Sequence, residues 1–190
     1  MNQALAAFPH DSLAQAWRLG EYHTGAMEPW SQNVLAALLA AIGGHDVLEV
    51  GTYLGHTSAV LCLTLETLGG GEFLGAEIDP ERRTRTLQRL RALSLPRVVV
   101  NVSPQPGIEL LKAQATESFD LVFLDGDHTR AVVEMEADEA TRVLRSGGLL
   151  CGHDVYGVFD LAGVWTSRGG IALRVPLIHA AGGLGIWQKP

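Results

Sequence analysis

The stretch Asp46–Ser58 constrains this chain most: Asp-Val-Leu-Glu-Val-Gly-Thr-Tyr-Leu-Gly-His-Thr-Ser. Val47 to Val50 is a short apolar run with β-branched residues, the pattern of a buried strand. Gly51 ends it, Gly55 follows, and Thr57-Ser58-Ala59-Val60-Leu61 opens a helical pattern. Strand, glycine turn and helix in that order aim backbone N–H groups at an anionic group of a ligand. Glu49, just before the turn, places a carboxylate beside the same site. A ligand that suits both also carries positive charge or hydroxyls.

With 190 residues the chain reads as one domain, 1–190, with an N-terminal helical cap over 1–45 and an α/β core over 46–190. A net charge of −7 and a pI near 5.4 count against a nucleic-acid partner. The N-terminus lacks the basic start and apolar block of a signal peptide, and no apolar run approaches membrane-spanning length. The expected setting is therefore cytoplasmic, without a membrane partner. Cys62 and Cys151 are too few and too scattered for a disulfide scaffold and read as small buried hydrophobes.

A helix is expected over Asp11–Leu19, then a loop over Gly20–Glu28. Pro29 starts a helix whose face is Val34, Leu35, Leu38, Leu39 and Ile42, closed by Gly43-Gly44. The central strand and turn lead into a helix over Thr57–Leu68. A second strand, Phe73–Ile78, ends at Asp79, which caps a helix opened by Pro80. That helix carries Arg82, Arg83, Arg85, Arg89 and Arg91, read as a solvated face. A strand over Arg97–Val102, a helix over Gly107–Ala115 and a strand over Phe119–Leu124 follow. The helix Ala131–Leu144 has Val132, Val133 and Val143 inside and Glu134, Glu136 and Glu139 outside. Gly147-Gly148 turn into a strand over Leu149–Gly152. Leu173–His179 and Gly185–Gln188 read as strands joined by a tight turn at Gly182-Gly183.

Alternating strand and helix imply an α/β fold: a Rossmann-like, doubly wound, mostly parallel seven-stranded sheet with a C-terminal antiparallel hairpin. Ligands of such sheets bind beyond the carboxyl ends of the strands. Glu49, Glu77, Ser103, Asp125, Asp127, His128, His153 and Asp154 all collect there. Glu77, 26 positions beyond Gly51, is placed to accept two hydrogen bonds from a ribose diol. A pyrophosphate binder needs Gly-x-Gly-x-x-Gly, but Tyr53 occupies the second glycine position, and Glu49 would face the phosphates. A ligand with adenosine and no phosphate fits better, and S-adenosylmethionine is such a ligand.

Four motifs carry a resemblance: Glu-Val-Gly-Thr-Tyr-Leu-Gly-His-Thr, Ala-Glu-Ile-Asp-Pro, Phe-Asp-Leu-Val-Phe-Leu-Asp-Gly-Asp-His and Gly-Gly-Leu-Leu-Cys-Gly-His-Asp. In order and spacing the chain resembles class I S-adenosylmethionine-dependent methyltransferases. Among these it looks most like small-molecule O-methyltransferases of the catechol, caffeoyl-CoA and sugar or antibiotic types. The resemblance implies that Glu49 and the Gly51–Gly55 backbone hold the methionine end. Thr57 would lie near its carboxylate and Tyr53 near the methyl. Glu77 would take the ribose and Ser103 the adenine edge, with Asp125 also beside the cofactor and Met27 against it. The expected acceptor is a small molecule, and the protein could form a homo-oligomer.

Relatives of the catechol type carry an Asp at the position of Asp125 and an Asp-Asn pair where this chain has His153-Asp154. The metal set implied is Asp125, His153 and Asp154. The His softens a site otherwise suited to Mg²⁺ and shifts preference towards Mn, Fe, Ni or Zn. The relatives' general-base Lys falls at His128, so His128, Asp125 and His153 are the expected catalytic residues. Two other readings stay open: an NAD-dependent oxidoreductase, and a catalytically silent S-adenosylmethionine-binding protein. Trp17, Trp30 and Trp165 read as core residues or pocket walls.

Overall fold

The computed structural model describes residues 27–156, 160–174 and 182–190. The helix expected over Asp11–Leu19 lies outside them, as does most of the strand expected over Leu173–His179.

The described elements are α1 (Pro29–Ile42), β1 (Asp46–Val50), α2 (His56–Thr67), β2 (Gly71–Ala76), α3 (Pro80–Arg91), β3 (Val98–Ser103), α4 (Gly107–Lys112), β4 (Phe119–Leu124), α5 (Arg130–Val143), β5 (Leu144–Gly152), α6 (Ala162–Thr166), β6 (Ile171–Leu173) and β7 (Leu184–Gln188). The seven strands form one sheet in the order β3-β2-β1-β4-β5-β7-β6. The first five are parallel; β7 runs antiparallel to both β5 and β6. This is the mixed, Rossmann-like α/β sheet expected, with the order reversing at β1.

Strand alternation sends Val47, Phe73, Leu121, Phe123 and Cys151 to one face, where they pack with Leu35 and Leu39 of α1 and Leu61 and Leu65 of α2. Leu48, Val50, Val122, Leu124 and Leu150 go to the other, against Leu111, Val133, Ala137 and Val143. Both faces of β1 and β4 are therefore dry, which is why their runs are almost continuously apolar. Cys62 and Cys151 are unpaired and buried, as expected; burial pushes the Cys151 thiol up to about 12.

Local signals set most boundaries. Asp79 accepts the N–H groups of Glu81 and Arg82 at 2.9 Å, and Pro80 follows at the first helical position. Gly43 closes α1 in the left-handed region at φ 61°. Trp165 is fully buried, and a Cβ on Gly152 would come within 2.1 Å of its ring. Trp30 departs from the core reading and is 47% exposed.

Three further expectations change. The strand expected from Leu149 begins at Leu144, and its register shifts between Phe119 and Leu121, so Gly147-Gly148 belong to an irregularity inside β5. Leu173 pairs with Leu184 and Gly182 bridges to Tyr156, so Gly182-Gly183 are not a two-residue hairpin turn. The arginine face of α3 is only partly solvated. Arg83 Nε donates to the Val102 carbonyl at 2.7 Å and Arg89 Nε to that of Leu54 at 2.9 Å. Among the described residues no helix is long and apolar enough to cross a membrane.

Candidate functional site

The ladder of the sheet continues past the strand ends. Gly51 N–H donates to the Ala76 carbonyl at 3.0 Å, Asp125 N–H to Val50 at 2.9 Å, and His153 N–H to Leu124 at 3.1 Å. Glu77, the turn, Asp125 and His153 are thus held side by side by backbone bonds. Gly51 has φ 85°, and a Cβ there would lie 2.4 Å from the Asp125 carbonyl oxygen. Only glycine lets these two loops touch.

A cavity of about 440 Å³ opens beyond the ends of β1, β2 and β4. Tyr53, Glu77, Ile78 and Arg82 wall it on one side, Gln105 to Ile108 on another, and Asp125 to His128 with Val132, Glu136 and Asp154 on the third. A smaller cavity, about 20 Å³, adjoins the turn between Met27, Tyr53, His56, Thr57 and Asp125. Gly51, Tyr53 and Asp125 belong to both.

Glu77 is buried. Its Oε2 accepts the Tyr53 N–H at 2.8 Å and its Oε1 accepts the Asp79 N–H at 3.0 Å. Each oxygen keeps a second lone pair. Tyr53 sits at φ 50°, a rare value for a non-glycine residue, with the Arg82 guanidinium 4.9 Å from its ring centre.

Five charged groups meet beside the cavity. His128 Nε2 is 3.3 Å from Asp154 Oδ2 and 3.7 Å from Asp125 Oδ1. Hydrogen bonds to Asp125 and Asp154 push His128 up to about 9. His153 turns its Nε2 to Glu28 Oε2 at 2.7 Å, while Nδ1 lies 3.4 and 3.6 Å from Asp154 and Asp125. Burial works against the charged ring, but Asp125 and Glu28 outweigh it and push His153 up to about 10.

The chain matches the model of a family described as "Methyltransferase domain" over residues 48–155, more than half its length. It belongs to that family. A candidate O-methyltransferase of Mycolicibacterium smegmatis is 30% identical over 139 residues. The match covers 72% of this chain and spans 63% of the relative's length. Two solved structures share the fold. An O-methyltransferase from Bacillus cereus, in complex with SAH, gives a TM-score of 0.70 at 18% identity over 98% of this chain and 94% of that one. TomG from Streptomyces achromogenes, an O-methyltransferase involved in tomaymycin synthesis, in complex with SAM, gives 0.68 at 18% over 100% and 91%.

Within this methyltransferase domain, the residues singled out from sequence divide. Gly51, Tyr53, Glu77 and Asp125 line the main cavity, while Thr57 and Met27 line the smaller one. Gly55 caps α2 at φ 77° and packs on Thr86 of α3. Glu49 lies behind the turn, 1% exposed, accepting the Ser58 hydroxyl at 2.5 Å; burial pushes its carboxyl up to about 8. Ser103 is not a wall residue, and Gln105, two positions on, lines the cavity instead.

Beside the expected metal set stands a second histidine. Donor atoms of Asp125, His128 and Asp154 lie within 4.8 Å of one another, and His153, whose Nε2 is taken by Glu28, borders that set through Nδ1. Glu28 was missed because its partner is 125 positions away. Glu136, placed outside from its charge, is 3% exposed and lines the cavity. Burial, and then Asp127, push it up to about 7. The signal was there: Val133, Glu136, Ala140 and Val143 share one helical stripe.

Proposed function

We propose that the protein transfers the methyl group of S-adenosylmethionine to a hydroxyl of a small molecule. The observation that carries this is the charge of the cavity. Glu77, Asp125, Asp127, Glu136 and Asp154 line it, against Arg82 and His128. A dinucleotide would bring pyrophosphate charge against those carboxylates. S-adenosylmethionine brings a sulfonium and an ammonium, with one carboxylate for the start of α2. Its ribose diol matches the two oxygens of Glu77, already oriented by Tyr53 and Asp79. The fold and the family agree with this reading. Neither nucleic acid nor a membrane surface suits so acidic a mouth.

The donor set fits a divalent cation, with two carboxylates and one imidazole grouped at the cavity edge. Asp125, His128 and Asp154 would hold it. When bound, such an ion would supply Lewis acidity that lowers the pKa of the attacked hydroxyl. His128 suits this task better than that of a base, because its Nε2 already faces two carboxylates. Methyl transfer breaks the carbon–sulfur bond as the carbon–oxygen bond forms, so in-line alignment governs the rate. The turn supplies that alignment: Tyr53 reaches both cavities, its N–H is fixed by Glu77, and its carbonyl accepts the Thr86 hydroxyl at 2.9 Å.

Calorimetry with S-adenosylhomocysteine and with NAD tests the reading. Binding of the first and none of the second is expected; the reverse would overturn it. Methyl transfer to catechols or sugar diols then separates an enzyme from a silent binder.

A further inference from the structure

Glu136 has no task in the chemistry above, yet it is built into the same cavity. It stands on the buried stripe of α5, where a neighbouring helical position offers Ala137. Its Oε1 lies against Gly107: a Cβ there would come within 2.5 Å of it. That side of the carboxyl takes up the Ile108 N–H at the start of α4. Oε2 is buried and has no hydrogen-bond partner among the described residues. An unpartnered buried carboxylate oxygen in a cavity wall is costly and calls for a donor from a ligand.

The cavity says which part of the ligand comes there. On the cofactor reading the diol lies at Glu77 and the methionine end towards Tyr53 and Thr57, which line the two cavities. The base must run the other way, between the apolar walls of Ile78, Pro106, Ile108 and Val132, where Glu136 also lies. We propose that Glu136 reads the base: Oε2 accepts a hydrogen bond from the exocyclic amine of adenine and selects a 6-amino purine over a 6-oxo purine. This deepens the cofactor reading and rests on it.

The competing role is structural, a plain cap for α4, and one isosteric change separates the two. In Glu136→Gln the amide oxygen stays on the Ile108 N–H. The amide nitrogen then occupies the place of Oε2 and donates instead of accepting. At pH 8.5, above the value of about 7 to which burial pushes Glu136, the experiment measures affinity by calorimetry for S-adenosylhomocysteine and for its 6-oxo (inosyl) and 6-hydrogen purine counterparts. The wild type should bind the adenosyl compound at least tenfold more tightly than either. Glu136→Gln should lose that preference and turn towards the inosyl compound. An unchanged ratio in Glu136→Gln would leave only the capping role and overturn the assignment. Equal affinities in the wild type would overturn it without any variant, even if Glu136→Gln fails to fold. A wild type that binds none of the three removes the cofactor reading itself, and this assignment with it.

Discussion

Glu28 Oε2 and His153 Nε2 lie 2.7 Å apart, joining the residue before α1 to the residue after β5. Both are largely buried, and Ser31 donates its hydroxyl to the other Glu28 oxygen at 2.7 Å. Burial works to raise the Glu28 pKa, but the His153 ring outweighs it and brings it down to about 2. Glu28→Ala leaves the ring without its closest anion, and the loss expected in chemical denaturation is about 3–5 kcal/mol. Replacing both partners, as Glu28→Gln with His153→Gln, should recover part of it. A loss under about 1 kcal/mol would class the bridge with ordinary exposed pairs.

Removing the Glu77 carboxylate tests the diol site. Glu77→Ala should weaken S-adenosylhomocysteine binding by about 1–3 kcal/mol, the scale of hydrogen bonds to a charged group. The same change frees the Tyr53 and Asp79 N–H groups, so a lower melting temperature should accompany it. Unchanged affinity in calorimetry would remove Glu77 from the ribose.

The two histidines make a clean contrast for the metal. Titration of Mn²⁺ alone should show binding lost in Asp154→Ala and His128→Ala and retained in His153→Gln, because the compact donor set is Asp125, His128 and Asp154 while His153 is bridged to Glu28. Exhaustive chelation should abolish turnover, and Mn²⁺, Fe²⁺ or Ni²⁺ should restore it at least as well as Mg²⁺. Full turnover after chelation would dismiss the ion. Binding lost with His153 and kept without His128 would favour the set implied by sequence instead.

Asp120 supplies a pH dependence far from the cavity. Its carboxylate accepts the N–H groups of His45 and Asp46 at 2.8 and 2.9 Å and pairs with Arg145 at 2.8 Å. Partial burial works to raise its pKa, but Arg145 and the two N–H donors outweigh it and hold it below the usual range. A depressed carboxylate contributes stability that is fully present above the unfolded value, roughly 3.9, and is lost as pH falls through the folded one. The stability gap between the wild type and Asp120→Asn should therefore be constant near neutrality and close as pH drops below about 4. A gap that widens on acidification in urea melts would contradict this.

What could be read in advance was what local chemistry decides. Asp79-Pro80 announced a helix start, Gly51 announced the end of the strand and a turn, and strands alternating with helices announced a mostly parallel sheet. Residues whose role depends on a distant partner were harder. His153 reads from its place at a strand end as a cation ligand, and that Glu28 would take its Nε2 and leave only Nδ1 towards Asp125 and Asp154 was not legible at 125 positions' distance. Ser103 ends β3, yet the chain bends so that Gln105 forms the wall. Glu136 was placed in solvent by its charge although its spacing put it inside. Polarity outvoted periodicity there, and periodicity was right.

The backbone ladder that runs past the strand ends also bears on motion. The amides of Gly51, Asp125 and His153 are bonded to carbonyls of neighbouring strands in the same way as those of the core. They should keep their protons in heavy water for as long as the central strands do, opening only when the sheet itself comes apart. Ordering on ligand capture would then be confined to side chains, and the main-chain anchor points would be as slow as the interior before any ligand arrives.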